Sequence, residues 1–181
     1  MARGYRPHSK LVLSAEAPAP ENSRSSLRRR SIRYIPLILW IGLIFFFSST
    51  AASASQTSRI IGPLLHFLFP SASPESLQQY HFFIRKCAHV TEYALLAFWA
   101  IRAWKNSSYT FLKSYRFVLA AVLVLAVASL DEYNQSFEPS RTSTPWDVGL
   151  DFVGGLAMCV VLKLIQLRQD RRMQPLQTLE T

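Results

Sequence analysis

Residues 117–135 read FVLAAVLVLAVASLDEYNQ, an apolar run that ends in two adjacent carboxylates. From Val118 to Leu130 the run is apolar on every side of a helix and not on one stripe, which is typical of a helix inside a membrane. Asp131 and Glu132 follow at its end, where ionisable groups are costly and are rarely kept without a role. This stretch therefore predicts a membrane helix with a polar site at one end.

Three further apolar runs accompany it, at Ile32–Thr50, Cys87–Trp104 and Trp146–Leu167. A bilayer-spanning helix needs about 20 mostly apolar residues, which the first and last of these runs supply. The runs at 87–104 and 117–130 reach that length only if polar residues at one end are included, so those ends should face protein or water. The sequence predicts an all-α, polytopic membrane protein with four transmembrane helices, in preference to a soluble helical core.

The distribution of basic residues predicts how these helices are oriented. The net charge is +9, and 16 of the 20 Lys and Arg residues fall on one side if the helices occupy the four runs and the N-terminus lies inside. The other four are Arg59, Arg85, Lys86 and Arg141. This bias follows the positive-inside rule and predicts an N-in, C-in topology. The basic segments would then face anionic lipid, and no nucleic acid is expected as a partner.

The chain divides into three parts around these helices. Residues 1–30 are predicted to be a disordered basic cytoplasmic tail, residues 31–168 a transmembrane domain, and residues 169–181 a second cytoplasmic tail. Ala52-Ser53-Ala54 also resembles a signal-peptidase site. Cleavage there is disfavoured, because some 30 residues that include Glu16 and Glu21 precede the first apolar run.

Residues 51–84 form the longest outer segment, which has room for an interfacial or re-entrant helix. Ile60–Phe69 is too short to span a membrane and is expected to be broken by Pro63. Ser73-Pro74 has the pattern of a helix start, with Ser as the cap and Pro in the first turn. The second transmembrane helix is therefore predicted to begin near Pro74, outside the membrane, and to enter it around Cys87. The segment KNSSYTFLKSY after it is predicted to be a short cytoplasmic turn that leads to the third helix.

Three polar motifs converge at the outer ends of the helices in this topology. They lie at the start of the second transmembrane helix, at the end of the third and at the start of the fourth. Spacings of three or four residues within each motif place polar side chains on one face of a helix. The predicted binding residues are Arg85, Lys86, His89, Glu92, Asp131, Glu132, Gln135, Arg141, Asp147 and Asp151.

These motifs carry more negative than positive charge. Six carboxylates, which include Glu138 in the adjoining loop, oppose three Arg and Lys side chains, and an excess of three negative charges should not persist in a partly dry site. Protons, a metal ion or a cationic ligand can supply the missing charge. His89 and Glu92, together with the other carboxylates, suit a divalent metal without specifying one. A salt-bridge network that ties the helix ends together without a ligand is the structural alternative.

The same motifs, in this order, resemble the VanZ-like family of small bacterial integral membrane proteins. The resemblance covers about residues 36–165 and rests on the first helix (Trp40 to Ser49), on RKCAHVTEYALLA from Arg85, on DEYNQSFEPSRTSTPWD from Asp131 and on DVGLDFVGG from Asp147. Val90 and Ser140 depart from the residues that are usual in the family. The family motifs map onto Arg85, Lys86, His89, Glu92, Tyr93, Asp131, Glu132, Gln135, Phe137, Pro139, Arg141, Asp147, Asp151 and Gly154.

The resemblance implies a multi-pass protein of the bacterial cytoplasmic membrane. The namesake of the family is associated with low-level resistance to the glycopeptide teicoplanin, but the resemblance implies no particular biochemical activity. We therefore expect an envelope protein that binds a membrane lipid or a lipid-linked cell-wall component at an outer-leaflet polar site and affects teicoplanin susceptibility. Arg85, Lys86 and Arg141 would hold the anionic group of that ligand.

Two alternatives stay open at this point. The first is a membrane-embedded enzyme, with or without a metal, that acts on a lipid-linked substrate. Its candidate catalytic residues are His89, Glu92, Asp131 and Glu132. The second is the salt-bridge network with no ligand. A proton-coupled transporter is disfavoured, because four helices are few for that function.

Overall fold

The computed structural model describes residues 32–49, 54–137 and 144–177. Within these ranges the chain forms α-helices and no β-strand, which confirms the all-α prediction. The predicted N-terminal tail, most of the signal-peptidase-like site, and the loop residues Glu138, Pro139, Ser140 and Arg141 lie outside the described residues. The helices are α1 (Ile35–Ser48), α2 (Ala54–Leu68), α3 (Pro74–Lys105), α4 (Thr110–Ser114), α5 (Arg116–Gln135) and α6 (Pro145–Gln177).

The long helix α3 begins where the sequence predicts. Ser73 is the cap, and its hydroxyl oxygen accepts a hydrogen bond of 3.3 Å from the backbone N–H of Ser76. Pro74 occupies the first turn, where its missing N–H costs nothing. The helix has 32 residues and is therefore about 48 Å long. It exceeds the roughly 30 Å thickness of a bilayer core, so it has room to project beyond a membrane at one end.

Two local features differ from the sequence predictions. Helix α2 continues through Pro63 and is not broken there. Packing explains this, because Leu65 is buried after the proline and the Phe69 ring lies 5.1 Å from the Tyr80 ring of α3. Such tertiary contacts supply most helical stability in proteins. The connection between α3 and α5, expected to be a simple turn, contains the five-residue helix α4.

Contacts between the helices establish their relative directions. Lys86 of α3 pairs with Asp147 of α6, and Val90 contacts Gly154 further along the same two helices. Helices α3 and α6 therefore run parallel. Helix α5 is antiparallel to α6, because Arg116 at its start donates to Gln166 late in α6. The middle of α3, the end of α5 and the start of α6 therefore meet at one end of the bundle, which we call the carboxylate end.

Helix α1 completes the bundle and runs antiparallel to α3. The Tyr34 hydroxyl, just before α1, donates to Ser107 after the end of α3 at 3.1 Å. Six residues on, the indole N–H of Trp40 donates to the backbone oxygen of Glu92 at 3.0 Å. The end of α1 thus lies near the carboxylate end.

Close contact between helices depends on two consecutive glycines. A Cβ on Gly154 would collide with the backbone oxygen of Val90, and one on Gly155 would lie 2.6 Å from Cγ1 of Val124. Gly154 therefore lets α6 approach the backbone of α3, while Gly155 accommodates a side chain of α5. Small residues at such positions are what allow helices to pack this closely. The core around them is built from small residues, among them Ala97, Ala100, Ala120 and Ala128.

The outer faces of the helices are strongly apolar. Val118 and Val122 of α5 are 62% and 59% exposed, and Val160 and Leu164 of α6 are each about half exposed. By length and composition, α5 and residues 145–173 of α6 are able to cross a membrane, and α1 is a shorter apolar helix of 14 residues. Helix α3 does not meet the same criterion, because polar residues such as Arg85, Lys86 and Glu92 interrupt it. Within the described ranges the structure therefore supports two of the four predicted spans.

Candidate functional site

Asp131 lies at the centre of the carboxylate end. It is 2% exposed, and its Oδ2 accepts hydrogen bonds of 2.9 Å from both the Tyr93 hydroxyl and the Gln135 side-chain amide. Gln135 reaches it because it lies one helical turn further along α5. The other oxygen, Oδ1, is buried and has no hydrogen-bond partner among the described residues. The carboxylate is thus fixed on one side and has an unused oxygen on the other.

His89 and Asp151 face Asp131 from the two neighbouring helices. Nδ1 of His89 lies 3.7 Å from Oδ1 of Asp151, whose side chain is 4% exposed, while that of His89 is 20% exposed. One potential ligand atom from each of the three residues lies within 4.8 Å of the other two. Helices α3, α5 and α6 therefore each contribute one metal-binding type of side chain to a common point.

Two further carboxylates of the cluster have their own partners. The Lys86 ammonium forms an ion pair with Asp147, about one fifth to one quarter of each side chain being exposed. Glu132 accepts a hydrogen bond of 2.8 Å from the backbone N–H of Thr144, immediately before α6. An anion near a helix N-terminus is favoured by the helix dipole. Both contacts attach the start of α6 to its neighbours.

The space inside this cluster is very small. Its cavity measures about 10 Å³, which is close to the minimum of about 10–15 Å³ that a single water molecule needs. The interior therefore has room for one water molecule or one ion, and not for an organic ligand. The lining consists of Arg85, Lys86, His89, Glu132, Gln135, Asp147, Leu150 and Asp151.

A much larger apolar cavity lies beside the cluster. It measures about 550 Å³, which is within the usual range of small-molecule sites. Trp40, Leu43 and Phe47 of α1 form one wall, and Ile61 of α2 contributes to the lining. The polar residues along it include His81, Arg85, His89 and Glu92. Arg85 and His89 line both cavities, so they form the boundary between the apolar space and the carboxylates.

The structure brings most of the predicted site residues together at this end. The small polar interior is lined by Lys86, His89, Glu132, Gln135, Asp147 and Asp151, with Arg85 at its edge. Asp131 does not line this space but has a carboxylate oxygen within 4.8 Å of donor atoms of His89 and Asp151. Glu92 lines the apolar cavity instead. Phe137 is exposed and packs edge-to-face against Tyr133. Arg141 lies outside the described residues, and the binding and catalytic roles of the whole set stay predictions.

One residue of the site was absent from the predicted binding set. Tyr93 is completely buried and donates directly to Asp131. It follows His89 by four residues, so the same helical spacing that grouped Arg85 with His89 also places Tyr93 on that side of α3. Its phenol is uncharged at neutral pH, so a binding set defined by the charge pattern does not include it.

The local charge does not balance in the described part of the site. Glu92, Asp131, Glu132, Asp147 and Asp151 oppose only Arg85 and Lys86, which again leaves three negative charges if His89 is neutral. The ion pairs at this end within the described residues are Lys86–Asp147 and His89–Asp151, the second depending on a protonated imidazole. Neither of these two pairs includes Asp131.

Comparison with known proteins identifies one family. The model of the VanZ/LLP1 family matches residues 34–166, which include every helix from α1 to α5 and most of α6. No curated protein and no solved structure matches the chain.

Proposed function

This chain belongs to the VanZ/LLP1 family, and from that membership we propose that it is a multi-pass protein of the bacterial cytoplasmic membrane that binds an anionic envelope lipid at the outer leaflet. The ligand is a membrane lipid or a lipid-linked cell-wall component. By engaging such a component, the protein alters susceptibility to a glycopeptide such as teicoplanin.

This proposal rests on one observation: Arg85 lines the wall of the apolar cavity. A hydrocarbon chain would lie against Trp40, Leu43 and Phe47, and its phosphate would lie at the guanidinium of Arg85. Arginine suits this role because its planar fork binds phosphate oxygens in pairs. No ion pair joins Arg85 to a carboxylate among the residues that the structure describes. Lys86, by contrast, is already paired with Asp147.

A membrane location accounts for the exposed apolar surface. Valine and leucine side chains cover the outer faces of α5 and α6, and a soluble monomer rarely exposes such continuous apolar patches. We assign four spans to α1, α3, α5 and α6, with both termini inside, because this topology places most basic residues on one side. The carboxylate end then lies at the outer leaflet.

Helix α2 fits an interfacial position in this arrangement. Only its second half, residues 60–68, is apolar, which is too short for a span. The apolar run that contains α1, by contrast, extends from Ile32 to Thr50. The second half of α2 exposes Leu64, Phe67 and Leu68, and Phe67 is 82% exposed. Apolar side chains of this kind enter the boundary between headgroups and acyl chains. The helix would thus cover the apolar cavity from the outer surface.

Lipid binding is tested by native mass spectrometry of the full-length protein in detergent. The probes are a polyprenyl phosphate, phosphatidylglycerol and phosphatidylethanolamine, all added in the presence of EDTA. We expect one bound anionic lipid per chain and at least a tenfold weaker complex in Arg85→Gln. Arg168→Gln, an exposed arginine at the other end of the bundle, is the matched control. Equal binding by Arg85→Gln and the wild type would contradict the proposal.

A second function is favoured by the position of His89. Its imidazole lines the apolar cavity and lies 3.7 Å from Asp151, which is able to orient it. A histidine between a substrate cavity and a carboxylate has the arrangement of a general acid or base. The candidate activity is hydrolysis of a polyprenyl diphosphate to the monophosphate and inorganic phosphate. Release of phosphate by the wild type but not by His89→Gln, with lipid binding retained in both, would establish the enzyme.

A further inference from the structure

We infer that His89, Asp131 and Asp151 form a binding site for one divalent cation of the borderline first-row class, such as Mn²⁺ or Zn²⁺. The site shares His89 with the wall of the apolar cavity, but its cation binding does not depend on bound lipid. Its donors come from three helices, α3, α5 and α6, and lie within 4.8 Å of one another. Donors bound to a common ion at about 2.0–2.2 Å can be no more than about 4.4 Å apart. A small inward shift of the three side chains therefore brings all three donor atoms within bonding distance of one ion.

The unused oxygen of Asp131 points to a ligand independently of this spacing. Oδ1 is buried without a hydrogen-bond partner among the described residues, while Oδ2 accepts two hydrogen bonds. A buried acceptor left unpaired is costly, and more so when it is charged. Tyr93 and Gln135 hold the carboxylate in the manner of groups that orient a metal ligand from behind. The remaining oxygen is then available to a cation.

The charges around the site match a divalent ion. Lys86 pairs with Asp147, and Glu132 accepts from the backbone N–H of Thr144 at the start of α6. With a neutral His89, the two aspartates carry a charge of −2. One divalent cation neutralises them, whereas a lysine-like organic cation would not fit the space. Two of the three donors, His89 and Asp151, line the cavity of about 10 Å³, which admits an ion or a single water molecule.

The donor set narrows the choice of metal. One imidazole nitrogen with two carboxylate oxygens is typical of Mn²⁺, Fe²⁺ or Zn²⁺. Mg²⁺ and Ca²⁺ prefer oxygen donors alone, and Mg²⁺ also keeps several water molecules that this space does not hold. We therefore expect selection against Mg²⁺ and Ca²⁺.

The site is tested with full-length protein purified in detergent, stripped with chelator and then dialysed against Zn²⁺ or Mn²⁺ without added lipid. Elemental analysis should find about one ion per chain in the wild type, and calorimetry should show at least a tenfold preference over Mg²⁺ and Ca²⁺. Asp131→Asn and His89→Gln should each weaken binding by at least tenfold. Glu75→Gln, which removes an exposed carboxylate at the start of α3, should bind like the wild type.

A thermal shift separates loss of a ligand from loss of the fold. Added metal should raise the Tm of the wild type and of Glu75→Gln, because a ligand that binds only the native state stabilises it. It should leave the Tm of His89→Gln unchanged while that variant still unfolds cooperatively. Fewer than about 0.1 ion per chain in the wild type, or unaltered binding in His89→Gln and Asp131→Asn together, would overturn the inference. The lipid assay contains EDTA, so failure of one proposal leaves the other intact.

Discussion

The hydroxyl of Tyr93 donates a hydrogen bond of 2.9 Å to Oδ2 of Asp131, and this contact joins the middle of α3 to the end of α5 in a fully buried position. The same oxygen accepts from Gln135. The tyrosine therefore both stabilises the packing of two helices and determines which oxygen of Asp131 remains available. The packing of the carboxylate end and the metal binding that we propose there depend on the same side chain.

Replacement of Tyr93 by phenylalanine should destabilise the protein and weaken metal binding together. The change preserves the ring but removes a donor to a buried carboxylate, which is expected to cost about 1.5–3 kcal/mol. Thermal unfolding in detergent measures the first effect, and calorimetry with Zn²⁺ measures the second. Tyr133→Phe is the matched control, because Tyr133 is 66% exposed on α5. A variant at position 93 with wild-type stability would show that the hydrogen bond contributes little.

Gly154 and Gly149 lie on the same helix and should respond oppositely to alanine. A Cβ at position 154 meets the backbone of Val90, including its Cα at 3.0 Å, and a backbone cannot move aside as a flexible side chain can. Gly154→Ala should therefore cost about 1–3 kcal/mol. Gly149 has no atom within 4 Å of an added Cβ, so Gly149→Ala should be neutral or stabilise α6 by up to about 1 kcal/mol. Equal effects in unfolding experiments would contradict the packing of α3 on α6.

The sequence was sufficient to predict the features that depend on local chemistry. Ser73 and Pro74 identify the start of α3, because capping needs only neighbouring residues. Gly154 and Gly155 indicate a close helix contact, because two adjacent residues without side chains leave room for a neighbouring helix. The meeting of the three polar motifs also follows, since short connections make consecutive helices antiparallel and bring their ends together.

Features that depend on tertiary contacts could not be read from the sequence. The residues Arg85 and Lys86 are adjacent and have the same charge, so helical spacing cannot decide which of them pairs with Asp147. The structure assigns that partner to Lys86. Persistence of α2 beyond Pro63 depends on packing of Leu65 and on the ring contact of Phe69 with Tyr80. Local propensity alone predicts that the helix breaks at Pro63.

The ion pair between Lys86 and Asp147 should contribute measurably to the attachment of α6. A double-mutant cycle with Lys86→Met, Asp147→Asn and the double variant isolates the pairwise free energy. Because both side chains are partly exposed, we expect a coupling of about 1 kcal/mol or less. The coupling should shrink at high salt, as it does for pairs that solvent reaches. A cycle on Arg116 and Gln166, where the contact involves one charge only, provides the comparison.

The proposed orientation in the membrane predicts which loops are accessible from outside. Ser71 lies between α2 and α3 and Asn106 lies after α3, and both are exposed. Cysteine at position 71 should react with a membrane-impermeant maleimide added to whole cells, because positive-inside topology places this segment outside. Cysteine at position 106 should react only after the membrane is opened. The parent protein should carry Cys87→Ser and Cys159→Ala and remain unlabelled. If position 106 instead reacts in intact cells and position 71 does not, the carboxylate end faces the cytoplasm, and the outer-leaflet ligand is excluded.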